Sequence, residues 1–547
     1  MSDINDKLII IIKDALVKAF NYEDKSNMIM IETPSDISHG DYSTNCAMRL
    51  AKILHNAPIN IADRLTDEFK KNDLFTKVEV VKPGFINFFI KKDSMTNSLK
   101  DILNEKDKYG SSDFGKQEKV MVEYVSANPT GDLHLGHARG AAYGDALTRI
   151  LKFTGYDVLR EYYVNDAGHQ IDVLANSLFE RYKQILNLPF EEANIGYQGK
   201  DVINLAQGIV DKDGNKWVNA DIEEREEYFK NVGINLELDK IKKDLALYRV
   251  SFDNFTSERS LYKRGLVSNT IECLKKAGYT YTQDGALWLR TTDFKDDKDR
   301  VLIKSDGSYT YLVPDIAYHK DKFDRGYTHL INLFGADHHG YIARLKAGIK
   351  ILGYNPDNLE VEIVQMVRIM EGDKEVKMSK RTGNAITIRE LCEDVGVDAA
   401  RYFFLCKPLD SHFDFDLELA RKQSSENPIY YIQYAYARMM SILKKDDSYE
   451  IKDYYPLLTK DKEIELIKVL SEFKNELINI SKNKDVNSLT NYCYKLSSLF
   501  HSYYTEEKVL VEDNIALSKE RLALIKACSI TLKNALNLLG IEAKEKM

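Results

Sequence analysis

The stretch Val120–Gly140 reads VMVEYVSANPTGDLHLGHARG, and its change of pattern partway along decides the fold. Val120 to Val125 is a short, largely apolar run suited to a sheet strand. Pro129-Thr130-Gly131 is a turn, and a helical pattern follows from about Leu133 to Thr154. A second strand, around Val158 to Val164, completes a βαβ unit. Strands joined by a crossover of that length pair in parallel, so a parallel sheet is expected. Within the unit, His134-Leu135-Gly136-His137 falls where the helix begins, and its two imidazoles share one face of the first turn. Free N–H groups and the dipole draw phosphate to a helix N-terminus, and Gly136 leaves room for a flat ring to approach the backbone. These residues suit a nucleotide site. Taken alone they equally suit a metal site at i and i+3, or a chance pair.

Working outward, a matching unit recurs with a strand Thr328 to Phe334, a helix Gly340 to Leu352 and a strand Val361 to Ile369. After it comes Lys377-Met378-Ser379-Lys380-Arg381, basic enough to neutralise charge on a leaving pyrophosphate, or simply a solvated basic loop. Between the halves, residues from Glu191 to Tyr248 are strongly charged and helical in pattern, an insertion placed at 191–260. Upstream, residues 5–20 are helical and Lys77 to Ile90 alternates like strands around a turn, which gives a small α+β domain. Asn104 to Lys119 reads as a linker, and from Asn427 amphipathic helices run to the end as a bundle. The expected domains are 1–106, 117–420 and 421–547.

At ~100–200 residues per domain, 547 residues fit such a division. Hydrophobic residues at 44% and charged residues at 30% exclude a disordered or membrane chain. The net charge of -8 leaves any nucleic-acid binding to local basic patches. Cys46, Cys273, Cys392, Cys406, Cys493 and Cys528 show no zinc spacing and read as reduced thiols. The apolar run Leu8 to Ile12 is too short for a signal segment, so a cytoplasmic protein is expected.

Together, H-x-G-H opening one half-sheet and K-M-S-K following the other resemble the signature of class I aminoacyl-tRNA synthetases. Four further motifs resemble the arginyl-tRNA synthetases: Val122-Glu123-Tyr124-Val125-Ser126-Ala127-Asn128-Pro129-Thr130-Gly131, Tyr162-Tyr163-Val164-Asn165-Asp166-Ala167-Gly168, Asp315-Ile316-Ala317-Tyr318-His319 and Gly335-Ala336-Asp337-His338-His339-Gly340. Toward the ends, His39-Gly40-Asp41-Tyr42 and Pro83-Gly84-Phe85-Ile86-Asn87 are similar to the N-terminal domain of bacterial members. Asp398-Ala399-Ala400-Arg401-Tyr402 and Asn427-Pro428 resemble the junction into the helical anticodon-binding domain. The resemblance implies a multidomain α/β protein with a Rossmann-like catalytic domain, a small α+β N-terminal domain and an all-α C-terminal bundle. It implies ATP with Mg²⁺, L-arginine and tRNA(Arg) as partners, and a monomer is the default.

The resemblance also assigns residues. His134, His137, Lys377 and Lys380 take the catalytic positions. ATP falls to His134, Gly136, His137, Gly335, Asp337, Val367, Met378, Ser379 and Lys380. Arginine falls to Glu123, Ser126, Asn128, His137, Tyr311, Asp315 and Asp337, with Asn165 and Gln170 as weaker candidates for the α-amino group or the ribose. The tRNA falls to Asn87, Tyr434, Arg438 and Met547, and no metal ligand set is assigned. Ligand chemistry agrees, because a guanidinium is a planar fork of donors that needs a carboxylate and neutral acceptors around it. Each residue also has a plain structural reading: Asp315 as a helix cap after Pro314, Tyr311 as a core residue, Asn128 as a turn former, and Tyr434 as a buried helix residue. Glu123 can be read as a strand-end charge, yet a carboxylate inside an otherwise apolar strand is harder to dismiss, because it needs a partner. A cysteinyl enzyme needs zinc thiolates that these cysteines do not supply. A small-molecule adenylyltransferase leaves both outer domains unexplained, and a catalytically silent relative leaves both signatures unexplained.

Overall fold

The computed structural model describes residues 4–24, 28–32, 34, 36–376 and 386–547, without the side chains of residues 5, 6, 37, 92–95 and 337–339. At its centre lies a five-stranded parallel sheet in the order Leu359–Val364, His329–Gly335, Lys119–Glu123, Asp157–Val164, Asn254–Ser257. Helix Leu135–Phe153 makes the first crossover, as the sequence predicts. Chain order reverses between Lys119–Glu123 and His329–Gly335. Open sheets place ligands at the C-terminal ends of strands beside such a switch point. Glu123 ends its strand there, in register with Asn332 on one side and Glu161 on the other.

Two boundaries differ from expectation. The strand predicted over Val361 to Ile369 is two strands: Leu359–Val364 stays in the central sheet, while Val367–Glu371 joins a second sheet with Lys374–Glu375 and Phe413–Asp416. The cause is Arg139, fully buried, whose guanidinium donates to the carbonyls of Gln365 at 3.2 Å, Ser411 at 2.8 Å and Pro408 at 2.6 Å. Gln365 N–H turns to Leu409 O at 3.1 Å, and the ladder breaks at that point. The insertion also ends earlier than residue 260, because Asn254–Ser257 is the edge strand of the central sheet. Its body is the helix pair Lys200–Asp213 and Ile222–Leu247. A three-stranded antiparallel sheet, Thr280–Gln283, Ala286–Leu289 and Arg300–Ile303, has no counterpart in the sequence reading.

The N-terminal domain packs helices Ile4–Phe20 and Pro58–Phe69 on a sheet that contains Phe75–Val81 and Phe85–Ile90. The expected linker is docked rather than free. Tyr109 is buried and donates to Leu470 O at 2.7 Å, Asn534 Nδ2 donates to Lys106 O at 2.9 Å, and a Cβ on Gly110 would stand 2.6 Å from the Phe473 ring. The C-terminal bundle is built from Pro428–Lys445, Asp461–Asn483, Asn487–Glu506 and Ile515–Leu538. Fully buried Arg401 ties it to the catalytic domain, donating to Asp145 Oδ2 at 2.6 Å, Tyr248 O at 3.0 Å and Leu539 O at 2.9 Å. All six cysteines are unpaired thiols. No helix among the described residues is long and apolar enough to cross a membrane.

Candidate active site

The first component is the turn His134–His137. His134 is the N-cap of helix Leu135–Phe153, its Nδ1 accepting from Gly136 N at 3.1 Å, and His137 Nδ1 accepts from His134 N at 3.3 Å. The imidazoles thus satisfy free N–H groups of the helix start, and their ring centroids lie 3.9 Å apart. Because each Nδ1 accepts, the proton of each neutral ring sits on Nε2 as an outward donor. Burial lowers the His134 pKa, and burial with the neighbouring His134 lowers His137 to about 4, so both rings are neutral near pH 7. Gly136 is required for a reason the sequence did not give: a Cβ there would stand 2.9 Å from His134 Cε1, so the flat ring it accommodates is that of His134. Ile386 and Ile388 pair with this turn, Leu135 N donating to Ile386 O at 3.3 Å and Ile388 N to Leu133 O at 2.8 Å. The segment that follows residues 377–385 is therefore fixed against the imidazoles. Lys377, Met378, Ser379 and Lys380 themselves lie outside the described residues.

The second component is acidic and lies at the end of the central strand. Val125 (φ 67°) and Ser126 (φ 40°) adopt left-handed conformations, which are strained for a β-branched residue and its neighbour. The surroundings hold them there. Ser126 Oγ donates to Glu123 Oε1 at 3.1 Å and accepts from Tyr163 N at 3.1 Å, and Tyr162 Oη donates to Ala127 O at 2.9 Å. The other carboxylate oxygen of Glu123 is bound by Lys322, a fully buried ammonium that also donates to Asn332 Oδ1 at 3.1 Å. One negative charge is thus offset within the protein.

Two further carboxylates remain. Asp315, in the first turn of helix Leu312–Asp324, accepts from the Tyr341 hydroxyl. Burial is the main cause that pushes its pKa up to about 7, with Glu123 and Glu258 adding repulsion against the Tyr341 hydrogen bond. Glu258, which starts the helix Glu258–Lys263, is buried, bonded by the Tyr163 hydroxyl and also raised by desolvation. Sequence reasoning missed Glu258, Tyr341 and Lys322. Glu258 directly follows the edge strand Asn254–Ser257, which the sequence reading had placed in the insertion, and Lys322 lies one turn from Tyr318 within a charged run of its helix, so neither stood out in the sequence.

The remaining candidates scatter. Asn128 is exposed and donates to Gln170 Oε1 at 3.1 Å, so these two do meet. Tyr311 is 83% exposed and caps the Asp315 helix, which excludes the core reading; it also takes the cap position considered for Asp315. Gly335 ends its strand at the switch-point edge, and Val367 opens the strand of the second sheet. The side chain of Asp337 lies outside the described residues. Asn87 is buried, its Oδ1 accepting from Ser43 Oγ at 2.8 Å. Tyr434 is 38% exposed, and the Arg438 guanidinium lies 5.3 Å from the ring centroids of both Tyr434 and Tyr504. Near this platform His501 stacks on Tyr434 at 5.8 Å. Met547 lies elsewhere, lining a cavity with Tyr430, Gln433 and Lys544.

A parallel sheet with paired imidazoles at its first crossover helix, joined to a helical C-terminal bundle, defines a class I aminoacyl-tRNA synthetase, and the comparisons agree. Residues 98–404 match the model of class I tRNA synthetase (R) catalytic domains, residues 432–547 that of the DALR anticodon binding domain, and residues 6–90 that of the arginyl tRNA synthetase N-terminal domain. The chain belongs to the arginyl-tRNA synthetase family. It is 50% identical to an arginine–tRNA ligase of Listeria monocytogenes across 99% of this chain and 98% of the relative. An arginine–tRNA ligase of Anoxybacillus flavithermus is 49% identical across 98% of each. The Thermus thermophilus arginyl-tRNA synthetase structure shares the fold, with a TM-score of 0.79 at 21% identity over 99% of this chain and all of that one.

Proposed function

We propose that this protein activates L-arginine with ATP and transfers it to the 3′-terminal adenosine of tRNA(Arg). The observation that carries this reading is the cluster of Glu123, Asp315 and Glu258, in which one carboxylate is matched by Lys322 and two have no cation paired with them among the described residues. A guanidinium supplies that charge and the planar donors the carboxylates require. Asp315 and Glu258 take the guanidinium, with Tyr341 orienting Asp315. Glu123, Ser126 and Asn128 face the α-amino end.

The arginine carboxylate attacks the α-phosphorus of ATP, the bond to pyrophosphate breaks, and arginyl-adenylate forms. The terminal 2′-hydroxyl of the tRNA then attacks the adenylate carbonyl, and AMP leaves. His134 and His137 donate from Nε2 to phosphate oxygens, while Lys377 and Lys380 neutralise the departing pyrophosphate. Catalysis is therefore positioning and charge stabilisation, and no protein nucleophile forms a bond. Mg²⁺ enters with the triphosphate as part of the substrate. Activation requires bound tRNA; what supports this is the direct contact of Arg401 with both the His134 helix, through Asp145, and the end of the last helix of the bundle. The Tyr434, Arg438 and His501 platform stacks anticodon bases. The protein works as a cytoplasmic monomer.

Aminoacylation of homologous total tRNA with labelled arginine tests the reading. Ester formation with arginine supports it, and charging with a different amino acid contradicts the pocket assignment.

A further inference from the structure

The insertion helix Ile222–Leu247 carries a stripe that the chemistry above leaves unused. Lys240 and Asp244 lie one turn apart on one face, and Tyr248 follows another turn on. Lys240 Nζ bridges Asp132 Oδ1 at 2.5 Å and Asp201 Oδ2 at 2.8 Å. Asp132 stands two residues before His134, and Asp201 belongs to the partner helix of the insertion. One turn on, buried Asp244 Oδ1 accepts Arg389 Nε at 2.9 Å and Nη2 at 2.5 Å. Arg389 lies in the first turn of helix Ile388–Val395, whose preceding backbone pairs with the imidazole turn. A turn further, Tyr248 O accepts from Arg401 at 3.0 Å.

We propose that this helix is a strut that fixes the imidazole turn relative to helix Ile388–Val395, and that Lys240 and Asp244 are positioning residues for adenylate formation. The proposal rests on the arginine-activating reading. At ~1.5 Å of rise per residue the two contacts stand about 6 Å apart on one rigid rod. Three carboxylates, Asp132, Asp201 and Glu237, surround the single ammonium of Lys240, so its removal leaves them repelling one another and Asp132 moves. The first half-reaction needs the imidazole turn held in one place against the triphosphate. The second needs only the adenylate carbonyl and the tRNA hydroxyl.

The test compares Lys240→Met, Lys240→Arg, Asp244→Arg and the swapped pair Asp244→Arg with Arg389→Asp, all in the full-length chain. Two rates are read: arginine-dependent pyrophosphate exchange with tRNA present, and single-turnover transfer to tRNA from supplied arginyl-adenylate. Lys240→Met and Asp244→Arg should lose about tenfold in exchange and less than about twofold in transfer, the loss expected of a displacement about half of the ~1 Å that costs two orders of magnitude. Lys240→Arg should keep the exchange rate, and the swapped pair should recover part of the loss. Equal losses in both rates, as a general structural fault produces, or undiminished exchange, overturn the strut. If Asp244→Arg does not fold, Lys240→Met, which keeps the length of the side chain at a half-buried position, carries the test. Absence of arginine exchange in the unaltered protein contradicts the functional reading itself, a result distinct from either failure of the strut.

Discussion

In the proposed arginine site, Asp315 sets the response to pH. Burial, reinforced by Glu123 and Glu258, raises its pKa to about 7, and a guanidinium binds the ionised form. Affinity for arginine is therefore full above that value and lost below it: KM for arginine should rise by about tenfold per pH unit as pH falls through the acid side. Asp315→Asn should abolish that dependence and raise KM by about 30-fold or more, the ~2 kcal/mol cost of truncating one partner of a buried charge pair. Steady-state exchange across the pH range on both sides of the pKa measures both. Lys322→Met leaves Glu123 buried without its ammonium and should cost ~3–5 kcal/mol in denaturant unfolding, most of it restored by adding Glu123→Gln. Glu123 was legible in the sequence because a carboxylate in an otherwise apolar strand needs a partner, which a plain strand-end charge does not supply. Glu258 was not, since an acid just after Ser257 reads as an ordinary helix start, and Lys322 was hidden in the charged run Lys320-Asp321-Lys322.

At the level of elements, the His134 turn depends on a single missing methyl group. Gly136→Ala should stabilise an isolated helix by ~0.5–1 kcal/mol. Here its Cβ meets the His134 ring 2.9 Å away and turns it off the orientation proposed to meet phosphate. Exchange should fall by about 10–100-fold while thermal stability is kept, which melting and exchange on one preparation decide. The first βαβ unit was legible because the pattern changes from strand to helix within a few residues. The break in the second half was not: the apolar alternation from Leu359 to Ile369 continues across Gln365, and what stops the ladder is Arg139, 226 residues away. Edge strand Asn254–Ser257 was missed for a related reason, being four residues long beside a charged helix.

For the whole molecule, Arg401 is the point where catalytic domain, insertion and bundle meet. Gly540, at φ 68°, lies directly against the Arg401 guanidinium and its carbonyl accepts from Arg249 Nη1 at 3.1 Å. Gly540→Ala places a methyl group into that guanidinium in a backbone conformation costly for alanine. It should lower the thermal midpoint and reduce the ratio of exchange with tRNA to exchange without it; an unchanged ratio separates the hub from tRNA dependence. Domain order was readable from periodicity, whereas the docking of Tyr109 and Gly110 on the bundle was not, because short polar sequence around a buried tyrosine resembles any linker. The central claim is a pocket built for a guanidinium that works only with tRNA in place, and the most direct test is pyrophosphate exchange with each standard amino acid, and with citrulline as the neutral isostere, with and without homologous tRNA. Exchange with arginine alone, and only with tRNA present, is the expected result. Exchange supported equally by citrulline, or by another amino acid in place of arginine, contradicts the account.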